Sequence, residues 1–195
     1  KAFSGCSNLT SIVFPESIKI IRSEAFLGCS NLTKIVFPES LENIEYGAFK
    51  NCKMLTEIVL SNNVKSIGQS AFSGCINLTN FVFPEGLEHI KDSTFSGCNN
   101  LTKIVFPNNV KSIGNYTFYD CINLTNIVFP KSLQTVGVYA FSGCNNLTNI
   151  VFPEGLEHID AQAFSYCKML AKVVLPSKKI NMGINVFKNC GKLTQ

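Results

Sequence analysis

Phe3, Phe26, Phe49, Phe72, Phe95, Phe118, Phe141, Phe164 and Phe187 stand 23 residues apart, with no insertion or deletion between them. The nine cysteines keep the same period from Cys6 to Cys190, and a leucine follows each of them three positions later, from Leu9 to Leu193. A fixed period of this kind constrains the fold more than any other feature of the chain. Each unit can bury its apolar side chains only against the units above and below it, so the stack supplies the core that a single unit lacks.

The unit reads A-F-x-x-C-x-N-L-T-x-I-V-F-P-x-x-L-x-x-I-x-x-x and recurs about eight times. Its segment Leu9-x-x-Ile12-x-Phe14 has the L-x-x-L-x-L form of a leucine-rich repeat, whose period runs from about 20 to 29 residues. Thr10-Ser11-Ile12-Val13-Phe14 alternates and is rich in β-branched residues, which predicts a strand. Pro15 ends it, because proline cannot donate to a sheet ladder. Ile18 and Ile21 point inward from a second, more irregular segment. Ala25-Phe26-x-x-Cys29-x-x-Leu32 spaces apolar groups three apart, which suits a 3₁₀ or short helical turn. The expected fold is a repeat solenoid with one parallel β-sheet along one face and an irregular, 3₁₀ or short-helical opposite face. Strands stacked at roughly 4.8 Å would make a rod on the order of 40 Å long.

Residues 1–195 read as a single solenoid and as a piece of a longer chain. The sequence starts inside a unit at Lys1-Ala2-Phe3 and stops inside one at Leu193-Thr194-Gln195, and neither end has the polar face of a capping repeat. Open ends expose strand edges and apolar side chains, which invite homo-oligomer formation through the solenoid ends. Two units depart from the pattern. Ser61 replaces the strand-ending proline, and Lys179 stands where Ile18 or Leu41 would be, which predicts a distortion there.

Composition excludes several classes. Hydrophobic residues make up 46% and charged residues 15%, which excludes disorder. The net charge is +4 and the longest basic run is Lys178-Lys179, so no nucleic-acid-binding stripe is indicated. No apolar run reaches about 18 residues, so no membrane insertion is expected in this segment.

Chemistry-bearing residues are few and regularly spaced. The cysteines form one column and are read as reduced core thiols, since stacked side chains point in parallel directions and buried thiols behave as small hydrophobes. No C-x-x-C pair exists, so no metal site is assigned. His89 and His158 lie three units apart, roughly 15 Å along the stack, and are read as solvent-facing. Phosphate-binding, dinucleotide-binding, zinc-protease and nucleophile-elbow motifs are absent, so no cofactor and no catalytic residue is assigned. The phenylalanines read as core. Asn8, Asn31, Asn77, Asn100, Asn123 and Asn146 open N-L-T and Asn115 opens N-Y-T, which fits both N-glycosylation and a turn asparagine that satisfies backbone groups locally.

The outward strand positions carry the binding expectation. Val13 lies between inward Ile12 and Phe14, so it faces the other way, and its equivalents run through Val36, Val59, Val82, Val105, Val128, Val151 and Val174. A polar row beside this valine ridge includes Lys103, Asn126 and Asn149. Such a stripe is either a contact surface or plain strand propensity. A second patch joins Tyr116 and Tyr139, in one phase of adjacent units, with Tyr119 and Val138 nearby.

The run Ile67-Gly68-Gln69-Ser70-Ala71-Phe72-Ser73-Gly74-Cys75, with Ile12-Val13-Phe14-Pro15, resembles the BspA-type leucine-rich repeat family over the whole chain. That resemblance implies a surface or secreted protein of a bacterium or parasitic protist, associated with adhesion to a host or matrix protein or to other cells, and brings no catalytic residues. The expected function is a non-catalytic protein- or glycan-binding module, an extracellular or cell-surface adhesin that uses the exposed sheet face. The alternatives are a cytoplasmic scaffold, which nine free thiols would suit, and a structural spacer for another domain.

Overall fold

The computed structural model describes residues 1–193; Thr194 and Gln195 lie outside the described residues. The chain winds as a stack of coils, each contributing two strands. Eight three-residue strands form one column: β1 Ser11–Val13, β3 Lys34–Val36, β5 Glu57–Val59, β7 Asn80–Val82, β9 Lys103–Val105, β11 Asn126–Val128, β13 Asn149–Val151 and β15 Lys172–Val174. Eight two-residue strands form a second: β2 Ile20–Ile21, β4 Asn43–Ile44, β6 Ser66–Ile67, β8 His89–Ile90, β10 Ser112–Ile113, β12 Thr135–Val136, β14 His158–Ile159 and β16 Asn181–Met182. All pairings are parallel and in register by one repeat, as in Ile104 beside Ile127 and Ile113 beside Val136.

Two details differ from the sequence expectation. The second segment is itself a strand column rather than irregular chain, and its ladder is the longer one, running unbroken from β8 to β16. The first column pairs in twos, with the ladder open between β3 and β5, β7 and β9, and β11 and β13.

The third side of each coil contains no helix among the described residues. Its apolar spacing matches a helical turn, but two residues per coil take positive φ and break any helix. They stand two before and two after the repeating phenylalanine, as in Ser70 (56°) and Gly74 (73°) around Phe72. The segment is therefore a run of turns closed by i→i+3 bonds, such as Cys75 N–H to Phe72 O at 3.2 Å. Alternate N–H groups reach instead to the next coil: those of Ser70, Phe72 and Gly74 donate to the carbonyls of Asp92, Thr94 and Ser96 at 2.7–3.0 Å. Backbone hydrogen bonds thus tie neighbouring coils together on the turn side as well as through the strand ladders, which accounts for the polar groups that a helix would have paired internally.

Between the three sides lies one continuous core. The repeating phenylalanines stack nearly flat, with Phe26–Phe49 at 5.2 Å and 5° and Phe95–Phe118 at 5.3 Å and 2°. The strand-end phenylalanines form a second row that meets the first edge-on, as Phe106 meets Phe118 at 5.8 Å and 75°. Truncating one such ring to alanine costs about 3–5 kcal/mol. Phe3 is 41% exposed and Phe187 half-buried, while the seven phenylalanines between them in the repeating row are buried.

The cysteines line the same core. Every thiol from Cys29 to Cys190 donates to the carbonyl oxygen of the phenylalanine 26 residues earlier, at 3.1–3.3 Å. Each sulfur is therefore a donor between coils and is free of disulfide. Lys179 is exposed, as a charged group must be in a column otherwise filled by buried Leu41, Val64 and Leu156. The tight turn of the other units opens there into a bend. Ser61 keeps its turn: Val64 N–H still donates to Ser61 O at 3.2 Å.

Candidate binding surfaces

On the first strand column, Ile104 and its equivalents point into the core, and the residues on either side of them must point out. All eight valines of the ridge are exposed, from 39% at Val174 to 73% at Val13. Lys103, Asn126 and Asn149 are exposed beside them. Val59, Val82, Val105, Val128 and Val151 thus form one line with these polar side chains along it.

A hollow of about 270 Å³ opens on this face where the ladder is interrupted between β7 and β9. Val82, Lys103 and Val105 line it together with Phe83, Glu85 and Phe106. Phe81 holds the inward position that isoleucine or valine fills in the other strands, and packs on Phe83 at 4.7 Å and on Phe95 at 4.6 Å. The hollow therefore has an apolar floor between an ammonium and a carboxylate.

The tyrosine patch lies on the turn side, away from the valine ridge. Tyr116 and Tyr139 stack at 5.1 Å and 14°, and Tyr119 meets Tyr116 at 5.8 Å and 62°. Val138 is half-buried behind them, held by Asn115 Oδ1, which accepts its N–H at 2.8 Å. The structure adds neighbours that the sequence reading did not include: Tyr166, Asp120 and Lys168 share a hollow of about 300 Å³ with Tyr119 and Tyr139. A signal for Tyr166 was present. In Phe164-Ser165-Tyr166-Cys167 it fills a position that elsewhere in the chain is glycine, asparagine or aspartate.

Electrostatics differ between the surfaces. The second strand column carries charges of alternating sign in one row, Lys19, Glu42, Lys65, Glu88 and Lys111. Lys65 bonds Glu42 at 2.6 Å and Lys111 bonds Glu88 at 2.7 Å, so these charges largely satisfy one another. Their lysine partners hold the Glu42 and Glu88 carboxyls below the ordinary range. His89 is exposed on this face, its Nδ1 2.7 Å from Ser112 Oγ, while His158 is half-buried, its Nδ1 3.3 Å from Asn181 Nδ2. In the tyrosine hollow, burial pushes the Asp120 carboxyl up. The Asp120 charge, then burial, push the Tyr119 phenol up.

The N-L-T asparagines stand in the turn ahead of each first-column strand, as expected, but four of them bond to each other along the stack rather than to local backbone: Asn100 Nδ2 donates to Asn77 Oδ1 at 3.2 Å, Asn123 to Asn100 at 3.3 Å, and Asn146 to Asn123 at 3.2 Å. An in-register stack brings identical amides within bonding distance, so each can serve as both donor and acceptor. A glycan on Asn100 or Asn123 would attach to the ladder nitrogen itself and leave it one N–H of two.

The architecture agrees with known proteins. The sequence profile of the BspA type leucine rich repeat region matches residues 1–122 and 88–195, in six copies. A leucine-rich repeat protein from Bacteroides ovatus superposes with a TM-score of 0.81 at 31% identity, over 98% of this chain and 56% of its own. The leucine-rich repeat protein of T. pallidum gives 0.67 at 27% identity, over 94% of this chain and 78% of its own. A leucine rich cell surface protein from Faecalibacterium prausnitzii gives 0.65 at 26% identity, over 99% of this chain and 60% of its own. The chain thus spans little more than half the length of the Bacteroides protein. A search of curated proteins found no match. With the period, the fold and the profile in agreement along its whole length, the chain belongs to the BspA-type leucine-rich repeat family.

Proposed function

We propose that this stack is a non-catalytic binding module, displayed at a cell surface or secreted, that engages a host or matrix protein through its exposed sheet face. The observation that carries this reading is the unbroken row of eight exposed valines. Strand propensity explains one outward valine but does not require eight in line, and contiguous apolar surface is the usual mark of a contact site. The hollow beside Val82 and Val105 offers an apolar anchor point, with Lys103 and Glu85 at its rim to orient a partner. A stack hydrogen-bonded from coil to coil loses little freedom when it binds, so a weak contact repeated along the row adds up. A cell-surface location draws support from a relative whose own description is a cell surface protein. The seven buried thiols from Cys29 to Cys167 are compatible with it, because buried, neutral sulfurs are inert to oxidants.

The test compares the wild type with Val105→Asp/Val128→Asp on immobilised extracellular matrix proteins and mucins. Loss of strand propensity costs at most about 1 kcal/mol per site, so the variant stays folded, and a thermal melt checks this. Binding that the variant loses supports the sheet face. Equal binding by both moves the contact elsewhere, and binding by neither favours the cytoplasmic scaffold or the spacer.

A further inference from the structure

Four of the five tyrosines of the chain gather in three successive coils on the turn side. Three of them sit at positive φ: Tyr116 at 55°, Tyr139 at 54° and Tyr166 at 60°. A bulky side chain in this left-handed region is disfavoured by about 1–2 kcal/mol. The chain has cheaper solutions at the same positions, since Asn185 occupies the place of Tyr139, and Gly74, Gly143 or Asn189 that of Tyr166. Stacking of Tyr116 on Tyr139 recovers part of this cost, but Tyr166 has no aromatic partner among the described residues. Tyr116 and Tyr166 are 41% and 46% exposed, and none of the four phenol hydroxyls has a hydrogen-bond partner among the described residues. The coil imposes this φ in every repeat, at Glu24, Ser70, Ser93 and Gln162 as well, so what calls for a function is the choice of bulky tyrosine where asparagine or glycine would serve.

A second observation points to a ligand. Asp120 lies beside Tyr119, half-buried, and its carboxylate forms no ion pair and accepts no hydrogen bond among the described residues. It folds over Gly143, whose missing side chain leaves the room that the carboxylate occupies on the wall of the hollow. Asn145 Oδ1, on the same hollow, is also without a partner. A desolvated acceptor needs a donor. Lys168 on the same wall disfavours a cation, and Asp120 disfavours an anion. What remains is a neutral, hydroxyl-rich molecule with a flat apolar face.

We propose that the hollow walled by Tyr119, Tyr139 and Tyr166 binds a neutral hexopyranose unit of a glycan, stacking its C–H face on the tyrosines while Asp120 accepts its hydroxyls. Its volume of about 300 Å³ suits one sugar unit. The site is separate from the sheet face and stands independently of it.

Titration with N-acetyllactosamine, diacetylchitobiose and cellotriose, followed by ligand-observed NMR, tests the proposal. At least one probe binds with a Kd on the order of 1 mM, typical of a small site with few contacts. Tyr139→Asn/Tyr166→Asn weakens it roughly 10-fold or more, as does Asp120→Asn, while Val105→Asp/Val128→Asp leaves it unchanged. The asparagines keep the backbone natural to those positions, and equal melting temperatures confirm the fold. Silence from all three probes overturns the proposal. So does binding that survives the tyrosine variants, or saturation of the hollow by a trimethyllysine peptide in preference to sugar.

Discussion

The Sγ–H of Cys98 donates to the carbonyl oxygen of Phe72 at 3.3 Å, and the same oxygen accepts the backbone N–H of Cys75 at 3.2 Å. One carbonyl thus closes a turn in its own coil and anchors the thiol of the next. Cys98→Ala removes the second bond and leaves a small cavity between stacked phenylalanines. A cost of about 1–2 kcal/mol is expected. Cys6→Ala, at the exposed end of the column, costs less than about 0.5 kcal/mol. Urea unfolding of both variants, with unchanged slope, measures the difference.

The same column sets a limit on alkaline stability. Burial pushes the Cys52 thiol up to about 12, and it raises those of Cys75, Cys98 and Cys144 as well. In the unfolded chain these thiols ionise near 9.0. Below that pH both states are protonated and the thiols contribute their full stabilisation. Between 9 and about 12 the unfolded state releases protons that the folded state keeps, so stability falls as pH rises, by up to about 1.4 kcal/mol per pH unit for each thiol. Alkaline unfolding is therefore expected to be steep and to start above pH 9. Replacing Cys75, Cys98 and Cys144 together by alanine should flatten the slope even though it lowers stability at neutral pH. A slope unchanged by the replacement would assign alkaline unfolding to other groups.

Much of this was legible in the sequence because the period turns one local inference into eight. The inward Ile104, the outward Val105 and the buried Cys98 follow from alternation and column membership alone. The turn side was harder to read. Apolar spacing at Phe72, Cys75 and Leu78 is shared by a helical turn and by a run of turns, and only backbone φ at Ser70 and Gly74 separates them. Serine, glutamate and tyrosine at that position carry no glycine-like signal. The asparagine ladder depends on contact between coils, so the local context of Asn100 could suggest a turn residue but not its true partner. The tyrosine hollow depends on Asp120, Gly143 and Tyr166, which share one position in three successive coils, and only stacking brings them together.

Tyr166 permits a direct measurement of stored strain. It stands at φ 60° and has no aromatic partner among the described residues, unlike Tyr116 and Tyr139, which recover part of their cost by stacking. Asn51 and Asn189 hold the same position in other coils. Tyr166→Asn should therefore stabilise the protein by about 0.5–1 kcal/mol, less than the full left-handed penalty because some ring contact is lost. A rise in the thermal midpoint checks this. A fall of similar size would mean that the ring packs productively in its own coil, and the strain would no longer speak for a ligand.

Lys179 offers the converse case, a position where the repeat is broken and can be restored. In the seven preceding coils the equivalent residue is apolar, and its N–H closes a turn to the residue three earlier at 3.1–3.3 Å, as Leu156 does to Pro153. At Lys179 no such bond forms, and the chain bends with the side chain exposed. An ammonium cannot enter a column whose previous member, Leu156, is fully buried. Lys179→Leu should let the turn close and extend the column by one residue. Full burial of a leucine is worth about 1.5–3 kcal/mol, and packing on Leu156 supplies part of it, so a gain of about 1 kcal/mol is expected. Amide exchange at Asn181 and Met182 should slow along with it, because β16 is the strand that follows the bend. If stability and exchange stay unchanged, the bend is held instead by Glu154, which accepts the N–H of Ser177 at 3.1 Å and its hydroxyl at 2.8 Å. In that case Glu154→Ala, not Lys179→Leu, would release it.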